Sequence, residues 1–167
     1  GCEPYKDVFT FNRWRAQGKR VAVARVVGLD GSGPRDPGAA MAVSDAGEVA
    51  GSVSGGCVEG DVAGHAWACL KDGAPRTLVY GEGSPWPDIR LLCGARIEIL
   101  IERVSPNDAA ATELFRLMEA RRPALWISDG RRRDCGEAAP AWPGALVRRH
   151  EPVWRLAVVG ADPTAQA

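Results

Sequence analysis

Residues 39–61 read AAMAVSDAGEVAGSVSGGCVEGD, and two signals in that stretch decide how the chain is built. Asp45-Ala46-Gly47 separates two short apolar runs, which predicts a hairpin with glycine in the left-handed position. The second run passes into a loop of glycine and serine, and from Cys57 to about Leu70 the apolar residues recur at helical spacing. Val58, Val62, Ala66 and Cys69 fall on one arc of that helix, its expected core face, with Cys57 and Asp61 neighbours at the edge. His65 falls near the same edge and reads more simply as a packing residue than as a ligand. Lys71-Asp72-Gly73 supplies the helix stop.

Outward from this unit the pattern continues. Residues 4–18 have helical spacing and end at Gly18, and the valine-rich run 21–27 reads as a buried strand. GLDGSGPRDPG (28–38) is almost wholly turn residues. Strands are expected at 76–80 and 95–104 with a loop through SPWPD between them, then a helix capped by Asp108 and running to about Arg121, then a strand at 123–128. Residues 129–150, with few apolar positions, read as either a surface hairpin or a linker. The run Arg131–Arg133 reads as a solvated charge cluster rather than a phosphate site. The final WRLAVVGADPTAQA opens like a dinucleotide-binding βα unit, although Asp162 and Pro163 break its glycine pattern. The expectation is an α/β or α+β domain over 1–150, a mixed sheet with flanking helices. The opening strand of an incomplete Rossmann-like domain follows over 151–167.

Composition excludes several classes. The 167 residues are 46% hydrophobic, enough for one compact domain with a sizeable core. Lys+Arg and Asp+Glu balance at 21 each, so bulk charge points to neither nucleic acid nor an anionic membrane. No apolar run approaches the roughly 20 residues of a bilayer span. The five cysteines are odd in number and widely spaced, which argues against a disulfide framework and for a reducing cytoplasm.

The chemistry concentrates in SVSGGCVEG (52–60, with Gly51 before it). Glycine and serine bury little apolar area, so core building does not account for them. Ser54, Gly55 and Gly56 precede a helix N-terminus whose free N–H groups and positive dipole end suit an anion. Cys57 there is a candidate nucleophile or metal contact. Glu59, in the first turn, favours the dipole and so stabilises the helix whatever else it does. Cys93, in LLCGA just before the 95–104 strand, makes a candidate thiol pair with Cys57. On residues alone, a thiol- or metal-dependent oxidoreductase using Cys57, Asp61 and Cys93 stays open. Two histidines are a thin ligand supply for zinc.

GSGPRDPGAAMAV, GSVSGGCVEGDV and LLCGARIEILIER, in that order and spacing, resemble the N-terminal domain of the XdhC/CoxI family, from about Arg20 to Arg103. Members are accessory factors for molybdenum hydroxylases such as xanthine dehydrogenase and carbon monoxide dehydrogenase. The resemblance implies a non-catalytic maturation factor. Such a factor binds molybdenum cofactor, assists its sulfuration and hands it to an apo molybdenum hydroxylase, with a cysteine desulfurase as a further partner. It also implies a C-terminal Rossmann-like domain and a homo-oligomer. By resemblance Arg35, Ser54, Gly55, Gly56, Cys57, Glu59 and Cys93 form the cofactor site. Cys57 and Cys93 are its molybdenum contacts, and Arg35 is an anion partner. The chain departs from the family in having Gly33 before Pro34-Arg35 and Ala95 after Cys93-Gly94. A docking scaffold for a hydroxylase or desulfurase is the remaining alternative.

Overall fold

The computed structural model of the chain describes residues 4–30, 39–81 and 96–152. The elements are α1 (Pro4–Ala16), β1 (Val21–Asp30), β2 (Ala40–Ser44), β3 (Val49–Gly51), α2 (Glu59–Asp72), β4 (Arg76–Tyr80), β5 (Arg96–Val104), α3 (Ala109–Glu119), β6 (Ala124–Ser128), β7 (Arg133–Gly136) and β8 (Leu146–His150). Five strands form a sheet in the order β3-β2-β1-β5-β4, and three form a second in the order β7-β6-β8.

Of the two classes left open, the fold is α+β. Every described pairing is antiparallel, where a mixed sheet was expected. The connections explain this. β2 and β3 are joined by a hairpin closed by Ser44 N–H to Glu48 O at 2.9 Å, with Gly47 at φ +82°. The α2 crossover runs from edge strand β3 to the opposite edge strand β4, so it never places two parallel strands side by side. β1 outruns the expected 21–27 because Gly28–Asp30 keep pairing with Arg96–Glu98 beyond a bulge.

Alternation along β1 divides the core between two layers. Ala22, Ala24 and Val26 face α2 and join Met41, Val43, Tyr80, Ile99 and Ile101 around Val58, Val62, Ala66 and Cys69, the arc expected from helical spacing. Val21, with Ala42 and Val104, faces the other way, against Phe11 and Trp14 of α1, Leu114 and Phe115 of α3, and Trp126 of β6. Gly73 ends α2 in the left-handed region, its N–H bonded to Cys69 O at 2.7 Å. Asp108 caps α3, its Oδ2 accepting from Ala111 N–H at 2.9 Å.

Residues 129–150 are neither a linker nor a hairpin of their own. β7 and β8 each pair with β6, on opposite sides of it. Their few apolar positions hid the strands, because one face of this small sheet is polar. Of the arginine run, Arg133 is drawn inward to Asp108 at 3.0 Å and Arg132 lies 4.2 Å over the Trp142 ring. The SPWPD loop, Arg35, Cys93 and residues 153–167, with the expected Rossmann-like strand, lie outside the described residues.

Candidate functional site

The Gly/Ser loop is organised around one carboxylate. Glu59 accepts from the amides of Val53 at 2.8 Å, Ser54 at 2.9 Å, Gly56 at 2.9 Å and Val58 at 3.3 Å. It also accepts from the hydroxyls of Ser52, at 2.6 Å, and Ser54. Burial alone would raise its pKa, but the bonds from Ser52, Ser54 and Val53 outweigh that and hold it at about 2. The amides expected to face an external anion thus close on the chain's own Glu59. The Gly56–Glu59 bond has the three-residue reach of a capping box, but it lies before the helix, because Val58 is the cap and Glu59 the first helical residue.

Ser54 completes the loop from within. Its Oγ accepts from Cys57 N–H at 3.0 Å and Val58 N–H at 3.1 Å, while Ser52 Oγ accepts from Gly55 N–H at 3.0 Å. These bonds delay the helix. It opens at Glu59 with Val58 at the cap, so Cys57 stands two residues before the first helical position rather than on it. Gly55, Gly56 and Cys57 are exposed, and Val53 and Val58 on either side are buried. A thiol is therefore displayed at the crest of a loop anchored at both ends.

Behind it stands a second bonded group. The buried Tyr80 hydroxyl donates to Asp61 Oδ2 at 2.5 Å, and His65 Nε2 lies 3.5 Å from the same oxygen, one turn along α2. Burial and the Asp61 charge raise the Tyr80 pKa well above its ordinary value, so it stays a donor. The structure thus gives His65 an acidic neighbour, where the sequence suggested packing alone. Ser52 and Tyr80 were not singled out by sequence reasoning. The Gly56-to-Glu59 spacing was a usable signal for the loop, but nothing local links Tyr80 to Asp61. Among the described residues, no three of the His, Cys, Asp and Glu side chains are placed to hold a metal ion. No described helix is long and apolar enough to cross a membrane. Cys69 is buried on the core arc, as expected, and Cys135 is buried in the second layer.

Residues 14–81 match the XdhC and CoxI family. Over 106 residues the chain is 39% identical to the molybdenum cofactor insertion chaperone PaoD of Escherichia coli (strain K12), which takes in 64% of this chain and 33% of that one. A solved structure of a xanthine dehydrogenase from Bacillus halodurans superposes with a TM-score of 0.63 over 87% of this chain and 53% of that one, at 20% identity. At that identity the likeness shows the fold alone. The chain spans about a third of the length of PaoD and about half of that solved chain.

Proposed function

We propose that this chain, whose residues 14–81 match the XdhC and CoxI family, binds molybdenum cofactor at the Cys57 loop and holds it for insertion into an apo molybdenum hydroxylase. The observation that carries the reading is the exposed Cys57 on a loop fixed by Glu59, inside the segment that matches the family. Thiolate is a soft ligand suited to molybdenum, and a loop already ordered loses little entropy when cargo docks. The likeness to PaoD, a molybdenum cofactor insertion chaperone, supports molybdenum cofactor as the cargo.

Glu59 occupies the inner amides of the loop, so the anionic parts of the cofactor meet the outer rim. There Gly55 and Gly56 expose backbone, and the first-turn N–H groups of α2 have no carbonyl within the helix to bond. Ser54 and Glu59 act here as positioning residues. Arg35 and Cys93 enter the proposal by resemblance, as an anion partner and a second thiol. So do sulfuration of the cofactor with a cysteine desulfurase, delivery as the whole protein's task, and the division of the chain near residue 150.

The test is co-purification from a cofactor-producing host, read as pterin fluorescence after oxidation together with molybdenum content. Wild-type chain should carry cofactor and Cys57→Ala should carry at least tenfold less, with unchanged circular dichroism. Equal loading of both proteins would overturn the assignment of Cys57.

A further inference from the structure

We propose that Arg25, Trp126, Arg148 and His150 form a binding site for a phosphate dianion, free or as a monoester, on the face of the large sheet opposite α2. The proposal is independent of the Cys57 loop. Arg25 points to this side of β1, and its guanidinium carbon lies 5.5 Å from the centre of the Trp126 ring. On β6 and β8, Trp126 pairs with Arg148, and His150 lies one inward position further along. Arg148 and His150 alternate with the outward, exposed Val147 and Arg149.

Three polar nitrogens in this group are buried without a hydrogen-bond partner among the described residues: Arg25 Nε, Trp126 Nε1 and His150 Nε2. Trp126 itself is only 2% exposed. Buried donors are normally paired, and an unpaired guanidinium in such a place is costly. The natural candidate to balance Arg25 is Glu102, but its carboxylate is already engaged. It accepts from Ser128 Oγ at 2.6 Å and faces Arg133 Nη1 at 3.5 Å. Arg133 in turn pairs with Asp108 at 3.0 Å. Arg25 and Arg148 are left as two cations beside the unfilled Trp126 N–H and His150 imidazole. A dianion with oxygens in several directions fits that set better than a single carboxylate.

The same surroundings set the charge of the group. Burial, then Arg25 and Arg148, push His150 down to about 3, so it is neutral at pH 7. Burial also lowers Arg25 to about 10, which Glu102 opposes and Arg148 reinforces. Among the described residues, the charged groups that act on Arg25 and His150 are Glu102 from β5 and Arg148 from β8, together with Arg25 itself from β1.

Isothermal titration calorimetry of the whole chain with inorganic phosphate, in two buffers of different ionisation enthalpy, tests this. Saturable one-to-one binding is expected, with net proton release near pH 7, because free phosphate there is part monoanion and the site takes the dianion. Arg25→Gln and Arg148→Gln should each weaken it at least tenfold. Trp126→Phe keeps the ring, loses one donor and should weaken binding severalfold, which covers the case in which Arg25→Gln does not fold. Methyl phosphate in a second arm separates the sources: binding comparable to phosphate identifies an ester site, and failure to bind restricts the site to the free ion. Cys57→Ala should leave phosphate affinity unchanged. No saturable heat overturns the proposal. So does acetate binding as tightly as phosphate, or the outward-facing Arg149→Gln weakening binding as much as Arg148→Gln.

Discussion

The carboxylate of Glu59 accepts from the amide of Gly56 at 2.9 Å, three residues before it, so the first residue of α2 dictates the path of the loop that leads into the helix. The same carboxylate also reaches back to Ser52 and Val53 at the end of β3. Strand end, thiol loop and helix start therefore behave as one unit.

That unit should titrate. Glu59 has a folded pKa of about 2 against an ordinary 4.5, so its contribution to stability is full above about pH 4.5 and is lost as pH falls toward 2. The shift corresponds to about 3 kcal/mol, and partial exposure with solvent screening reduces that to ~1–2 kcal/mol. Urea denaturation at pH 7 should find Glu59→Gln destabilised by ~1–3 kcal/mol, because an amide nitrogen must then face a donor. Between pH 4.5 and pH 2 the wild type should lose stability more steeply than the variant. Parallel pH profiles would show that the carboxylate does not organise the loop.

The thiols should separate by exposure. Cys57 is exposed, whereas Cys69 and Cys135 are buried. Burial raises the Cys69 thiol, and burial with Glu113 and Asp134 nearby pushes Cys135 up to about 12. Of the three described thiols, iodoacetamide on native protein should label Cys57 first, and the two buried ones only on unfolding, as read by peptide mass mapping. Cys57→Ala should change stability by about 0.5 kcal/mol or less, since the exposed side chain has little buried area to lose. Native labelling of Cys69 ahead of Cys57 would contradict this burial pattern.

Much of this was legible in the sequence, and the exceptions share a cause. The β2–β3 turn, the 76–80 strand, the Asp108 cap and the core arc of α2 rest on local signals and were found. β7 and β8 were missed because their strand character comes from pairing with β6 rather than from their own apolar pattern. In the loop, glycine and serine were read as an open anion cradle. The closing group was Glu59, whose helix-stabilising role was recognised while its reach back to Ser52 was not. The Tyr80–Asp61 bond spans 19 residues and the Arg133–Glu102 pair 31, distances at which spacing carries no information.

Two glycines with similar backbones should differ when replaced. Gly47 and Gly51 have φ of +82° and +81°. A Cβ at Gly47 meets nothing within 4 Å, whereas at Gly51 it would stand 2.3 Å from the backbone oxygen of Ala40 on the paired strand. Gly47→Ala should cost about 1 kcal/mol for the left-handed backbone alone. Gly51→Ala must also displace β2 from β3 and should cost at least ~2 kcal/mol more. Chemical denaturation of both variants measures the difference, and equal costs would refute the close approach of the two strands.

Arg133 joins the two sheets through charge. It bonds Asp108 at the start of α3 and faces Glu102, which is only 4% exposed in the middle of β5. Arg133→Met removes the nearer cation and leaves buried Glu102 with the Ser128 hydroxyl and the more distant Arg25 charge, so it should cost ~2–4 kcal/mol. Glu102→Leu strands Arg133 less severely, because Asp108 still holds it, and should cost ~1–3 kcal/mol. In the double variant no unpaired carboxylate remains at position 102, so its total should fall short of the sum of the singles by at least ~1 kcal/mol. Urea denaturation of the four proteins closes the cycle. Additive costs would mean that the 3.5 Å Arg133–Glu102 approach contributes nothing to holding the small sheet against the large one.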